Sequence, residues 1–430
     1  MISAILAFAG ALALIMMRFP IAIALAGVGL FGLYMNMGLV PSRTMLGMAA
    51  QSSTMGYSLS VLPLFVLMGN LVAGAGISGS LFHSAQLFLS RRKGGLAMAS
   101  IVASGAFGAI CGSSVATAAT MSRVALPPMR KFGYADRLSA ASVAAGGTLG
   151  ILIPPSVIMV VYAVTTQSHI GMLFAAGLVP GLIGIVLYIV AIKWVVWRRP
   201  ETAPQVEAVG WRERFGSLSA IWPVILLFGL VMGGIYTGQF TATEAAGIGA
   251  FGALIFAIFS RKLTFKQIWV IIIDSGLVSA SLFAILFGAS MFVEFLNLTG
   301  VHSYLETFIN DSGLSPTGVI ISIIVIYIIL GCVLESISMM LITVPILFPV
   351  VIALGYDPIW FGILVVVASE IGLITPPIGI NLFVIRSSVP NLKMGDMFRG
   401  IVPFVAVDIV RIAIIAIFPG LVMWLPQLLF

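Results

Sequence analysis

Charge is scarce in this chain. Of its 430 residues, 8% are Asp, Glu, Lys or Arg, against about a quarter in soluble globular proteins, so a soluble fold is excluded. Long polar segments are scarce too. The longest covers 198–215, which is too short for a water-soluble module. There are two cysteines, Cys111 and Cys332, both in apolar context, which leaves no disulfide framework and no CxxC metal site. The three histidines, His83, His169 and His302, are scattered near span ends and are not read as a metal site or proton relay. HExxH, GxSxG and a convincing catalytic pair of carboxylates are all missing, so the chain is read as no enzyme. The opening MISAILAFAGALALIMMRFP has no basic lead and is read as a first span, not a cleaved signal.

What is there is apolar: 60% of the residues are hydrophobic and the mean hydropathy is +1.18. An all-α polytopic membrane protein is expected. Crossings are read at 2–17, 21–39, 59–89, 172–197, 222–236, 241–259, 268–298 and 402–425. Two further segments, 138–166 and 359–386, are apolar but interrupted. The net charge of +7 is a property of loops and calls for no nucleic acid. Arg91-Arg92-Lys93, Arg130-Lys131-Arg137, Arg198-Arg199, Arg261-Lys262 and Lys393-Arg399 all fall on one side, which is then cytoplasmic; Arg43 is the main exception. The segment 94–129 lies between two basic clusters, so it must enter and return on the same side as a re-entrant hairpin. A second hairpin is placed at 318–351.

The broken segments show that one unit occurs twice. GGTLGILIPPSVIMVVY and ASEIGLITPPIGINLFVIR share an apolar approach, a glycine four residues before the first proline, and a proline pair. Pro376 stands 222 residues after Pro154, and Gly372 stands 222 after Gly150. Proline pairs remove backbone donors and break a helix. GAICGSSVATAAT matches GCVLESISMMLIT, aligning Ser113 with Ser336. Gly133-Tyr134 matches Gly355-Tyr356, Gly76-Ile77 matches Gly300-Val301, and Pro180 matches Pro403. Each half then holds five crossings, a hairpin and a broken helix. That number is odd, so the two copies are inverted, which is the pattern of a secondary transporter with a midplane site. Scaffold spans are assigned to 1–58 and 218–267, transport elements to 59–197 and 268–430, and a cytoplasmic linker to 198–217.

A broken helix offers unpaired carbonyls at one half-helix end and a positive dipole end at the other. Carbonyls and hydroxyls suit a hard cation such as sodium. One cation is placed among Gly112, Ser113, Ser114, Thr148, Gly150 and Pro154. A second is placed among Glu335, Ser336, Ser338, Gly372, Thr375 and Pro376. An anion is placed at Ser114, Pro155, Ser156, Ser338, Pro377, Gly379 and Asn381, where two cations would offset its charge. Plainer roles compete for several residues. Ala116, Ala118 and Ala119 suit helix packing, and Asn381 suits a bond to a neighbouring helix. Glu244 and Glu294 suit structural or partner contacts, whereas Asp274 and Glu370 stand as intramembrane candidates. Asp408 and Arg411 suit a local ion pair or snorkelling. The 21 methionines are apolar fill.

YTGQFTATEAAGIGA from Tyr236, the GSSVAT hairpin, LGILIPPS and EIGLITPPIGINLFV together resemble the large membrane (DctM-type, M) subunit of tripartite ATP-independent periplasmic (TRAP) transporters, over essentially the whole chain. The combination of YTGxFTxTEAA with TPPxGxN carries the likeness. The chain differs in Ala242, where the family often has Pro, and in Cys111 and Glu335 beside the hairpin serines. The resemblance implies an elevator-type fold like that of the ion transporter superfamily, in the bacterial inner membrane. It implies sodium-driven import of an organic acid anion: sialic acid, a C4-dicarboxylate, or another sugar or keto acid. It also implies a small (Q-type) membrane subunit and a periplasmic (P-type) substrate-binding protein as partners, about two sodium ions and no organic cofactor. An ion channel, or a proton-coupled stand-alone anion transporter, is the alternative.

Overall fold

The computed structural model describes residues 2–205, 210–389 and 391–430; of His302, Glu306, Asn310 and Ser312 it describes the backbone alone. The linker positions 206–209 and the His302 side chain, both named above, lie outside the described residues. Every regular element among the described residues is helical. Among the described residues, seven helices are long and apolar enough to cross a membrane, or eight when the bent pair Trp211–Leu218 and Trp222–Tyr236 counts as one. The apolar surface is inside out relative to a soluble protein. The interrupted segment Asp136–Thr166 has 94% of its most apolar stretch buried, whereas the long helix Phe265–Leu298 has 17%. A helix that is apolar all round and unburied belongs in lipid.

Helix pairs joined by short turns occupy the two segments assigned to hairpins. Gly95–Cys111 and Ser114–Lys131 make the first, Pro316–Gly331 and Ser336–Ala353 the second. The two broken helices are Asp136–Leu152 with Val157–Thr166, and Pro358–Ile374 with Ile380–Ser388. Both proline pairs are cis. The sequence correspondences fall at equivalent structural places. Gly76 and Gly300, in the left-handed conformation, each precede a short helix, and Gly133 and Gly355 adopt the same conformation just past the second arm of each hairpin. Pro180 and Pro403 sit inside Ile170–Arg198 and Met394–Ile417.

Two spans and one loop differ from their sequence reading. The crossing expected over 59–89 divides into Val61–Gly74 and Ile77–Leu89. Ile77–Leu89 starts beside Lys262 and ends at the Arg91 cluster, so both its ends lie at basic loops, and it is not among the helices long and apolar enough to cross a membrane. The loop expected after Leu298 contains the helix Val301–Ser312. The last span divides at Phe418 into Met394–Ile417 and Pro419–Leu429, since Pro419 cannot continue a helix ladder. In the linker, Trp211–Leu218 is a helix that docks on Ile77–Leu89. Ser84 Oγ donates to Ser217 O (3.0 Å) and Phe88 meets Phe215 edge-on. Arg214 is buried there under the Trp211 ring.

The basic loops do converge. Leu96 N donates to Tyr134 OH (3.3 Å), tying the two feet of the first hairpin. Ala135 N donates to Thr202 O (3.0 Å), Gln205 reaches Arg91 O (3.4 Å), and Arg130 pairs with Asp136 at 2.7 Å. Two reciprocal packings join the halves: Phe265–Leu298 lies on Ile21–Met37, and Val61–Gly74 lies on Ala242–Phe259. Phe265–Leu298, grouped above with the transport elements, thus packs chiefly on scaffold spans.

Candidate functional site

Each hairpin leans on the broken helix of its own half through a glycine pair. A Cβ on Gly108 would lie 2.3 Å from Gly150 Cα, and one on Gly372 would lie 2.4 Å from the Gly331 carbonyl carbon. No side chain fits between these backbones, which explains the glycine four residues before each proline pair. The close contact brings each tip against its break. At the first tip, a Cβ on Gly112 would be 3.0 Å from Pro155 O. Ser113 caps the returning arm by accepting from Ala116 N (3.3 Å). At the second tip the cap is Glu335, whose Oε2 accepts from Ile337 N (3.0 Å), Ser338 N (3.3 Å) and Ser338 Oγ (3.3 Å). The structural partner of Ser113 is therefore Glu335, and that of Ser114 is Ser336. The sequence alignment of Ser113 with Ser336 is corrected by one residue, and the new pairing has the same 222-residue offset as the prolines.

The first cation set is brought together in part. The Cβ position of Gly150 is 2.7 Å from Thr117 Oγ1 and 3.2 Å from Ser113 O, so these two oxygens converge on Gly150, while the Gly112 turn faces Pro155 O and no contact of Pro154 with them is seen among the described residues. Thr117, not singled out in the sequence, is fully buried. Its hydroxyl has no nitrogen or oxygen partner among the described residues, and its neighbour is the Cys111 thiol. A hydroxyl one turn into the arm was the available signal. Thr148 does not join them. Its hydroxyl donates to Ala145 O (2.8 Å) and meets Tyr188 OH (3.0 Å) instead. In the second set, Ser336 Oγ is buried without a partner among the described residues, Ser338 is bound to Glu335, and Thr375 Oγ1 is turned back to Ile371 O (2.5 Å). Gly372 abuts Gly331 and precedes Pro376. Buried oxygen without a hydrogen-bond partner is costly, and a hard cation satisfies it.

Of the anion set, Ser114 and Asn381 meet although 267 residues apart. Asn381 Nδ2 donates to Ser114 Oγ (2.8 Å) and to Ala144 O (3.3 Å), and both residues are buried. Asn381 thus ties the second broken helix to the first tip and the first broken helix, as the plainer reading of it anticipated. Met159 stands 222 residues before Asn381, so Ser336 has no such amide to bond. Ser156 Oγ donates to Ile151 O (2.5 Å), bridging the first break. Pro155 touches the Gly112 turn, and Gly379 restarts the helix at φ 62°. Pro154, Pro155 and Ser156 are buried, whereas Pro376 and Pro377 are exposed. Chemically similar breaks are thus covered in one half and open in the other.

Both tips face a single cavity of about 200 Å³, lined by Gly112 to Ala116, Glu335 to Ile337, Val66, Asn70, Val278 and Leu282. Ser338, Ser156, Pro155, Pro377, Gly379 and Asn381 do not line it. Asn70, also missed in the sequence, donates to Ser275 Oγ (2.9 Å) across the two packed helices. Its signal was a lone amide in the apolar run VLPLFVLMGN.

Behind the site lies a buried polar chain. Arg411 Nη2 bonds Glu370 Oε2 at 2.5 Å and lies 2.9 Å from Asp408 Oδ1; Tyr188 OH donates to Asp408 Oδ2 (2.7 Å) and meets Thr148. Arg411 is fully buried, in space left by Gly184, so it does not snorkel; the local pair with Asp408 forms and gains Glu370. Glu370 stands 222 residues after Thr148, and Arg411 stands 223 after Tyr188, so the chain joins equivalent positions of the two broken helices. Glu244 forms a capping box with Thr241, a structural role, while Asp274 and Glu294 are exposed. His169 caps Ile170–Arg198 by accepting from Met172 N.

The sequence profile of the family described as tripartite ATP-independent periplasmic transporter, DctM component, matches residues 8–421. The chain is 36% identical over 374 residues, 86% of each chain, to the C4-dicarboxylate TRAP transporter large permease protein DctM of Pseudomonas aeruginosa. It is 30% identical over 395 residues to the sialic acid TRAP transporter large permease protein SiaM of Vibrio cholerae, covering 91% of this chain and 92% of that one. Its fold is similar to the crystal structure of the Alcanivorax borkumensis YdaH transporter, with a TM-score of 0.65, 13% identity and 90% of each chain covered. With its buried broken helices and lipid-facing apolar surface, this chain belongs to the DctM component family of tripartite ATP-independent periplasmic transporters, as a multi-pass transport protein of the bacterial inner membrane and not an enzyme.

Proposed function

We propose that this chain is the permease that moves an organic acid anion inward with sodium, receiving it from a periplasmic binding protein and working beside a small membrane subunit. The supporting observation is the single cavity shared by both hairpin tips, lined by Ser113 and Ser114 from the first and by Glu335 and Ser336 from the second, with the Ser336 hydroxyl buried and without a hydrogen-bond partner among the described residues. One sodium ion is assigned to Ser113 O, Thr117 Oγ1 and the Gly150 to Pro154 end. The second is assigned to Glu335, Ser336 and the Gly372 to Pro376 end. The anion is assigned to the cavity beside Ser114, and relatives named for C4-dicarboxylates and sialic acid set the substrate class.

In proteoliposomes holding all three components, an inward sodium gradient should accumulate one acid from a panel that includes succinate and sialic acid. Omitting sodium or the binding protein should cut uptake at least about tenfold. Thr117→Val should raise the half-saturating sodium concentration about tenfold, the value of one hydrogen-bonding oxygen on a charged group. Ohmic, non-saturating flux, or full uptake without sodium, would sink this reading in favour of a channel or proton coupling.

The two halves are taken as inverted repeats of five crossings each, moving as an elevator. The reciprocal packing of Ile21–Met37 with Phe265–Leu298, and of Ala242–Phe259 with Val61–Gly74, supports a static frame whose boundary falls after Gly74 and after Leu298. The covered first break and open second break support alternating exposure. A thiol at Ala116→Cys should change its accessible side when sodium and substrate are added, and one at Gly27→Cys in the frame should not. No change at Ala116→Cys would favour a local gate.

A further inference from the structure

We propose that the cleft between Ile170–Arg198 and Met394–Ile417, at the arginine-rich end of the protein, is a binding site for an anionic phospholipid. The cleft has a volume of about 650 Å³. Its mouth carries Arg137, Arg198, Arg199 and Arg399, and its walls are apolar, built from residues such as Val190, Val195, Val402 and Val407. None of the four guanidiniums has a carboxylate within ion-pair distance among the described residues, although Arg130 nearby has Asp136. Four like charges gathered at one mouth repel one another and call for an anion.

The mouth is also shaped. The backbone and stem of Arg137 pack on Gly400, where a Cβ would lie 2.1 Å from Arg137 O, so this arginine is held over the cleft. Arg198 lies 5.0 Å above the Trp194 ring, and Trp194 is 46% exposed at the level where aromatic side chains meet headgroups. Arginines bind phosphate oxygens through paired N–H bonds, so four of them serve two phosphates. Val190 and Val402 are 49% and 60% exposed on helices that face lipid. A free phosphate would leave these walls bare, whereas an acyl chain covers them. Basic pockets between membrane helices on the cytoplasmic side take acidic headgroups for this reason.

The test is native mass spectrometry of the purified full chain with tetraoleoyl cardiolipin, dioleoyl phosphatidylglycerol, dioleoyl phosphatidylcholine or inorganic phosphate added. The two acidic lipids should remain bound where phosphatidylcholine does not, and inorganic phosphate at equal concentration should not displace them. Arg198→Gln with Arg399→Gln should weaken acidic-lipid binding about 25-fold, at about fivefold per arginine. Val402→Trp, which fills the wall without touching charge, should also weaken it, and Arg92→Gln outside the cleft should not. Equal binding of phosphatidylcholine, unchanged binding in both cleft variants, or displacement by phosphate would overturn the proposal. So would a photoreactive group at Val402 that cross-links in membranes to the small subunit or a second copy and not to lipid.

Discussion

Replacing Arg411 with methionine should lower the stability of the purified protein by about 3–5 kcal/mol, the cost of breaking a buried ion pair by removing one partner. Arg411 is the one cation among the described residues in contact with Glu370 and Asp408, and all three are shut away from solvent. Without it two carboxylates face each other in an apolar setting, with Tyr188 OH as the remaining donor to Asp408. The triple variant Arg411→Met, Glu370→Gln, Asp408→Asn should recover most of the loss, because it removes the charges as well as their partner. Denaturant titration in detergent measures both. If Arg411→Met unfolds like the parent, the cluster contributes no stability, and its role in joining the two broken helices must be abandoned.

Gly108→Ala and Gly372→Ala should each nearly abolish sodium-dependent uptake while leaving a folded protein. The new methyl group would sit 2.3 Å from Gly150 Cα in one variant and 2.4 Å from the Gly331 carbonyl carbon in the other. The obstacle is backbone, which cannot rotate aside, so the hairpin has to move off its broken helix. Overpacking of this kind costs about 1–3 kcal/mol, and each 1.4 kcal/mol lost from a binding site is about tenfold in affinity. A hairpin shifted from the break would separate the Ser113 carbonyl and Thr117 from the Gly150 end, where a Cβ on Gly150 would lie 3.2 Å from the one and 2.7 Å from the other. Gly10→Ala and Gly27→Ala, each with open space at the Cβ position, are controls that should transport normally. Sodium-dependent thermal stabilisation separates the outcomes. Normal sodium response in Gly108→Ala and Gly372→Ala would place the cation sites away from the tips.

The sequence by itself determined the class and the breaks, and it carries the recurring proline-pair pattern on which the proposed repeat rests. Low charge and uniform apolarity leave a membrane chain as the single option. A proline pair inside an apolar run interrupts a helix wherever it stands, since the missing donors are a local property. The glycines before each pair and the hairpin tips were legible for the same reason, because left-handed turns and backbone contacts demand particular residues. The DctM likeness, drawn from YTGQFTATEAA and TPPIGIN, holds across residues 8–421.

Tertiary structure decided the partners. Thr148 and Thr117 are both hydroxyls near the first break, yet one is turned to Tyr188 and the other to the tip. The pairing of Ser113 with Glu335 emerged from cap geometry, where residue identity had favoured serine with serine. Asn381 with Ser114, Asn70 with Ser275 and Arg411 with Glu370 join positions far apart in the chain. Hydropathy cannot assign such contacts in a membrane protein. In water the apolar stripe of a helix marks its inner face, but here lipid and core are equally apolar, so the periodicity is silent about which face is inside. It is silent, too, about where Ile77–Leu89 leaves the span that precedes it. Three-dimensional packing supplies that information, because close contact and the pairing of buried polar atoms single out one arrangement among many of equal hydropathy.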